Sequence, residues 1–407
     1  DLMNGIVGTP ALMKAMNRAI VTNMLAKYSP ISQTQICQRT GLSRATVSTI
    51  ICELKREELV VEVSKKISRG GRRQVLLKLD ENAGLVVGVD LGGTKMAGAV
   101  TDLNGKAIIK LRRPTNADAG PDAVLETLIN FIPELCNQAG VPLAKVRGVG
   151  VGVPGVVRRG GVVEWAPALN WRELELGTLL NEALKRPVYV ENDVNLLALG
   201  EYWYGAAQGA ESLVCLAVGT GVGAGVVLNG QLYKGAHNAA GEVCNLLVDR
   251  ELLGRDFSRF GGLEMIASGP ALARRYAEVK LAMSRDSGKP ILPPELPEAH
   301  ETSWTGAESV FEEARQNVPE AALIVEEFAR NLSMAIIALT TVLDPEVIIL
   351  GGGVSMNADL FRDRVLELCT PALQVMPRGE VSTLGVDAGV MGAVALTLQH
   401  TNENPLR

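Results

Sequence analysis

The apolar positions of the first eighty residues recur at helical spacing. Leu12, Met16, Ile20, Met24 and Leu25 line a predicted helix that Ser29-Pro30 stops, since a residue before proline avoids helical geometry. A short helix follows from near Ser32, with Ile36 and the Cys37/Thr40 region on one face, until Gly41 breaks it. Leu42 plugs the turn, and Ser43 is an N-cap for a second helix, Arg44 to about Glu57. Val47, Ile50, Ile51 and Leu54 face inward in that helix. Helix, tight glycine turn and helix is the helix-turn-helix layout, with a plain helical hairpin as the rival for the pair alone. The outward set is Ser43, Arg44, Ala45, Thr46, Ser48 and Thr49. Small hydroxyl side chains and arginine let a helix enter a major groove and touch base edges.

Alternation takes over after this helix. Leu59–Val63 and Gln74–Leu79 read as two strands joined by SKKISRGGRR, which holds Lys65, Lys66, Arg69, Arg72 and Arg73. A two-stranded wing with such a tip lies along phosphates or reaches into the minor groove; a solvated hairpin tip is the other reading. Beyond residue 84 the runs become longer and more apolar. Strands are predicted at Leu85–Asp90, Met96–Asp102 and Lys106–Arg112, the last two joined by the hairpin signal Asn104-Gly105. A helix covers about Pro121–Ala139, residues 146–157 form a strand, and 188–205 read as strand then helix. Residues 212–232 form a glycine-rich hairpin. A long helix at about Ala321–Leu343 leads into the strand Val347–Leu350, and a last helix closes the chain. The strand, hairpin and helix block occurs twice, which predicts a duplicated α/β domain with a cleft between the halves.

Length and composition sharpen this division. A chain of 407 residues exceeds one ordinary core. Its net charge of −5 hides an asymmetry: residues 1–80 hold 13 Lys/Arg against 6 Asp/Glu, a net of +7, and the remainder carries −12. A basic small module on an acidic larger part implies that only the first meets a polyanion. The six cysteines, at 37, 52, 136, 215, 244 and 369, form no CxxC pair and imply reduced, buried thiols in a cytoplasmic protein. No secretory signal and no membrane-spanning apolar run is expected.

Three glycine turns end strands: Gly92-Gly93-Thr94 after Asp90, the Gly219–Gly225 stretch with Thr220, Gly221 and Gly223, and Gly351–Gly353 with Gly352 at its centre. Glycine lets backbone N–H groups approach an anion, and a following hydroxyl adds a bond. Together they point to a phosphate-lined cleft, or to tight hairpin packing in a small-residue core. In VENDVN, residues 190–195, Asp193 follows a strand with Asn192 beside it. A carboxylate there can take a proton from a sugar hydroxyl that attacks a phosphoryl group, hydrogen-bond a sugar, or cap the next helix.

At DLGGT, VENDVN, GTGVGAGVVLNG, AAGEV and GGLEMIAS, in this order behind a winged helix, essentially the whole chain resembles the ROK family of repressors, uncharacterised frames and sugar kinases. It looks like the repressor branch, the relatives of xylose and N-acetylglucosamine regulators. The resemblance implies an N-terminal winged helix-turn-helix, residues 1–82, followed by two actin-like or hexokinase-like α/β domains. These are 83–195 with 388–407, and 196–387, which carries sugar binding and dimerisation. It assigns Asp90, Gly92, Gly93 and Thr94 to the first phosphate motif, Thr220, Gly221 and Gly223 to the second, and Gly352 to the adenine side. Asn192 and Asp193 match the sugar-binding pair, Asp193 standing at the catalytic-base position of the kinases. Glu242 and Glu264 match further sugar contacts.

Three positions depart from the family pattern. Cys244-Asn245 replaces Gly-His, and Asn245 joins the sugar set in place of a histidine that would touch both sugar and zinc. No cysteine occurs in DRELLGRDFSRFGGLE, and Asp249, Asp256 and His237 do not make up four ligands, so no zinc and no other metal is expected. Ala166-Pro167-Ala168-Leu169 lacks an asparagine that often contacts the sugar. The expectation is a sugar-responsive transcriptional repressor of a carbohydrate operon, a homodimer or homotetramer on double-stranded DNA, without cofactor and away from membranes. The alternative is an ATP-dependent sugar kinase using Mg-ATP, for which DLGGT and Asp193 stand intact.

Overall fold

The structure, a computed structural model, describes residues 10–57, 59–66, 74–80, 84–257, 261–284 and 307–403. The chain divides into two compact units, residues 1–196 with 389–407, and residues 197–388.

The first unit begins with a winged helix. Helices α1 (Pro10–Tyr28), α2 (Gln33–Thr40) and α3 (Arg44–Arg56) pack against strands β1 (Ile31–Ser32), β2 (Val60–Lys66) and β3 (Gln74–Leu79). The wing has three strands, ordered β1-β3-β2, because Ile31 and Ser32 pair with Leu77 and Leu76. A two-residue strand carries no alternation, so the expected wing had only two. Ser32 then caps α2 through a capping box with Gln35, and Gly41, at φ 70°, ends it. The buried line of α1 runs through Val21 and Leu25, while Ile20 stays 38% exposed. The predicted stripe on α1 was thus one position out of phase at Ile20. Val47, Ile50, Ile51 and Leu54 of α3 are buried as expected.

The rest of the first unit is a sheet ordered β11-β7-β4-β5-β6. It comprises β4 (Leu85–Leu91), β5 (Lys95–Asp102), β6 (Ala107–Pro114), β7 (Val146–Val153) and β11 (Val188–Asn192), with α4 (Pro121–Gln138) and α5 (Leu176–Leu184). A side sheet holds β8 (Val156–Arg158), β9 (Val162–Ala166) and β10 (Trp171–Leu174). The single strand expected at 146–157 is therefore two. Gly155, at φ 99°, turns the chain where a Cβ would overlap the Trp165 carbonyl. Helix α6 (Asp193–Tyr204) follows β11, and the C-terminal helix (Ala388–Glu403) returns to the first unit.

The second unit repeats the plan. Its sheet is ordered β14-β13-β12-β15-β16, from β12 (Leu213–Val218), β13 (Val222–Leu228), β14 (Gln231–Leu232), β15 (Val347–Gly351) and β16 (Arg378–Val381). In both sheets three consecutive strands form an antiparallel meander, and two later strands add in parallel beside the first. Helices α7 (Glu264–Ala267), α8 (Gly269–Ser284), α9 (Glu308–Arg315), α10 (Pro319–Leu343) and α11 (Arg362–Cys369) complete the unit. Its core closes on Phe311, Phe328 and Phe361, whose rings pack within 6.5 Å of one another. The duplicated α/β plan behind a winged helix is the fold the motifs implied. Among the described residues no helix is long and apolar enough to cross a membrane.

Candidate functional site

On the winged helix, Ser43 accepts a hydrogen bond from the Thr46 N–H at 3.1 Å and lies 2.9 Å from its hydroxyl, which fixes the first turn of α3. Arg44, Ala45 and Thr49 are exposed beside it, and Thr46 and Ser48 are half-buried. One face of α3 is thus core and the opposite face is a short polar surface with one arginine. Arg69, Arg72 and Arg73 lie outside the described residues. On the neighbouring helix, the Arg39 guanidinium stacks 4.2 Å from the Tyr28 ring, a cation the outward-face reading of α3 had not included.

Within the first unit the parallel strands β4, β7 and β11 end side by side. Asp90 pairs with Gly152, Gly152 with Glu191, and Val153 with Asn192. The crowding there is specific to glycine. A Cβ on Gly152 would lie 3.6 Å from an Asp90 carboxylate oxygen and 3.7 Å from Asp193 Cα. One on Gly389, at the start of the C-terminal helix, would lie 2.6 Å from the other Asp90 oxygen. Burial pushes the Asp90 carboxyl up to about 6, with Lys95 pulling it down. The Gly92-Gly93-Thr94 turn is a tight hairpin: Gly92 N–H donates to Lys95 O at 3.0 Å. Thr115 clamps it, donating from its hydroxyl to Gly92 O at 2.6 Å and from its N–H to Thr94 O at 2.9 Å. A Cβ on Gly93 would touch that of Ala168 at 3.0 Å, so the Ala-Pro-Ala-Leu segment borders the turn.

Asn192 is the cap of α6. Its Oδ1 accepts from the Asn195 N–H at 3.0 Å, and its Nδ2 donates to Gly155 O at 2.9 Å. Asp193 occupies the first helical turn, where a carboxylate suits the dipole, and its Oδ1 accepts from the Val194 N–H at 2.9 Å. Buried Glu191 supports the pair by accepting from the Asn192 N–H and the Asn195 side chain, each at 3.0 Å. Glu191, Asn195 and Thr115 were missed in the sequence. Asn195 was findable, since three residues separate a cap from the N–H it binds. Thr115 lies 23 residues from Gly92 and carried no local signal.

The second unit gathers its own set. Gly219 N–H donates to Gly221 O at 2.9 Å, and Gly269 N–H donates to Gly219 O at 2.8 Å, which pins the turn bearing exposed Thr220. Gly352, at φ 79°, turns the chain after β15, and a Cβ on Gly219 would lie 3.9 Å from Gly353 N. Two glycine turns therefore meet at adjacent parallel strand ends. Gly223 is not part of that turn; it lies in β13, paired with Ala217. Glu264 reaches the turn by accepting from the Val222 N–H at 2.9 Å. Burial raises its carboxyl, Val222 lowers it, and Glu242 raises it again. Cys244 donates to Glu242 at 3.6 Å, and burial with both carboxylates pushes its thiol up to about 12. Asn245 is exposed and its N–H donates to Glu242 O at 3.2 Å. Among the described residues no three His, Cys, Asp or Glu side chains group as a metal site, and His237, Asp249 and Asp256 are exposed.

A putative xylose repressor from Caldicellulosiruptor sp. (strain Rt8B.4) is 29% identical over 96% of this chain and 98% of its own length. The crystal structure of a ROK family transcriptional regulator, a homolog of an E. coli MLC protein, matches the fold with a TM-score of 0.77 at 24% identity, covering 96% of this chain and 97% of its own. A ROK hexokinase from Thermus thermophilus is 31% identical over 79% of this chain and all of its own, with a TM-score of 0.64. The sequence model of the ROK family matches residues 86–400, and the chain belongs to that family.

Proposed function

We propose that this chain is a sugar-responsive, DNA-binding regulator of transcription, a repressor of a carbohydrate-utilisation operon. One observation carries the reading: a winged helix with an exposed polar face on α3 shares a single compact unit with the Asp90 and Asp193 strand ends. α3 enters the major groove, and Ser43, Arg44, Ala45, Thr46, Ser48 and Thr49 meet DNA there. Arg69, Arg72 and Arg73 hold phosphates. Asn192 and Asp193, at the strand end of the first unit, are sugar contacts. A sugar shifts DNA affinity only as far as it prefers one state of the protein. The protein acts as a homodimer or homotetramer, because paired half-sites need paired winged helices. It acts without zinc: Asn245 stands where the family pattern has a histidine, and His237, Asp249 and Asp256 do not make up four ligands.

A kinase reading has its own observation, the approach of Asp90 and Asp193 to the same glycine. In that reading Asp193 takes the sugar hydroxyl proton, and the glycine turns hold Mg-ATP. Calorimetric titration with hexoses, pentoses and N-acetylhexosamines, with and without Mg-ATP, separates the two. Sugar binding without ADP release supports the regulator, and Asp193→Ala abolishes the response. ADP release on sugar addition makes the chain a kinase.

A further inference from the structure

Helix α3 carries a charge conflict that α1 resolves. Glu53 and Glu57 lie one turn apart at its C-terminal end, Glu57 as the C-cap residue. Like charges at that spacing repel, and the negative end of the helix dipole disfavours both. Helix α1 supplies two cations at the same spacing. Lys14 Nζ lies 2.7 Å from a Glu53 oxygen. Arg18 grips both Glu57 oxygens: its Nη1 donates to Oε1 at 3.0 Å and its Nη2 donates to Oε2. The same Nη1 stands 3.9 Å from Glu53. The two pairs advance together, four residues on each helix, as rungs of one ladder. A slip of α3 along α1 by one turn, about 5.4 Å, leaves at most one rung.

The ladder accompanies an apolar contact. Val21 and Leu25 of α1 cluster with Val47, Ile50, Ile51 and Leu54 of α3. Apolar burial is non-directional, whereas a guanidinium fork on a carboxylate fixes distance and plane. The Arg18 side chain is only 9% exposed, and its Nε is buried with no hydrogen-bond partner. A buried cation left partly unsatisfied adds little to stability, and fixing register is the use such groups serve best. We propose that Arg18 is a positioning residue for DNA recognition. With Lys14 it sets the register of α3 on α1, and so the place where Ser43, Arg44 and Thr49 meet base edges. The inference rests on the DNA-binding reading above. Arg18 is buried and acts through Glu57, not on DNA.

The test uses the full chain as parent, Arg18→Met/Glu57→Gln and Arg18→Lys. The double variant removes the fork and its carboxylate together, and the net charge of residues 1–80 stays at +7. Melting is followed alongside binding to two duplexes, one that the parent selects from a random-sequence library and one scrambled. The double variant melts at or above the parent's temperature, because exchanging a buried ion pair for neutral side chains is often neutral or stabilising. It nevertheless binds the selected duplex about tenfold more weakly, the scale of one misplaced base contact, and the scrambled duplex as the parent does. Arg18→Lys keeps the charge without the fork and loses less. The ratio of the two affinities decides, since partial unfolding lowers both alike. An unchanged ratio, whether both affinities hold or both fall, would overturn the assignment. If the double variant does not fold, Arg18→Lys decides by the same ratio. A parent that selects no duplex sinks the DNA-binding reading alone. Amide exchange at 53–57, faster in the double variant if the ladder holds α3, then decides the structural part, and unchanged exchange overturns it.

Discussion

Arg44 stands at the first position of α3, exposed, behind the Ser43 cap that fixes its direction. If it reads a base edge, Arg44→Ala weakens the specific duplex by about 1–3 kcal/mol and relaxes preference at one base position. Fluorescence anisotropy on single-base variants checks this, and equal affinity would remove Arg44 from the interface. Asp90 makes a different prediction. Burial lifts its carboxyl from an ordinary 3.8 to about 6, so between those values the native state holds the proton more tightly than the unfolded chain. Stability therefore falls as pH rises through that window and stays lower above it. Asp90→Asn removes the titration. At pH 7 the variant is more stable than the parent by up to about 3 kcal/mol, and the gap closes towards pH 4. Melting curves at four pH values test it; a gap independent of pH would show that burial does not govern this carboxyl.

At the scale of elements, the C-terminal helix joins the sheet of the first unit to the winged helix. It lies directly on the sheet: a Cβ at Gly88 would sit 2.5 Å from Val390 O, one at Gly148 would sit 3.0 Å from the Thr397 methyl, and one at Gly150 would overlap Ala393 O. Its Val394 and Leu398 belong to the winged-helix core. Gly150→Ala must lift the helix off the strand, at a cost of about 1–3 kcal/mol. The same shift loosens α1 and α3, so their amides exchange faster than those of the second unit. Melting combined with exchange checks both parts, and uniform protection would refute the coupling. Such contacts explain what was legible beforehand. Continuous apolar runs, the Ser43 cap and the Gly41 stop announced strands and helices, because their causes are local. The break at Gly155 and the third strand of the wing depend on partners far along the chain. Asn192 and Asp193 stood out as a pair, yet their division into cap and first-turn carboxylate needed Asn195 and Gly155 in space.

At the scale of the whole molecule, the repeated strand order of the two sheets was partly visible as a repeated block, and the uneven charge was visible outright. The first eighty residues carry +7 and the remainder −12. An acidic body is repelled by a phosphate backbone, so the basic module alone supplies the electrostatic attraction. The affinity for DNA then falls steeply with salt, and the slope counts the cations that displace counterions. Arg72 belongs to the RGGRR segment of the expected wing, outside the described residues. If it holds a phosphate, Arg72→Ala makes the slope of log affinity against log salt shallower by about 0.9 per winged helix bound. It weakens selected and scrambled duplexes alike, unlike Arg44→Ala, which acts on the selected one. Titrations at four salt concentrations separate the two arginines. An unchanged slope would remove Arg72 from the phosphate contacts.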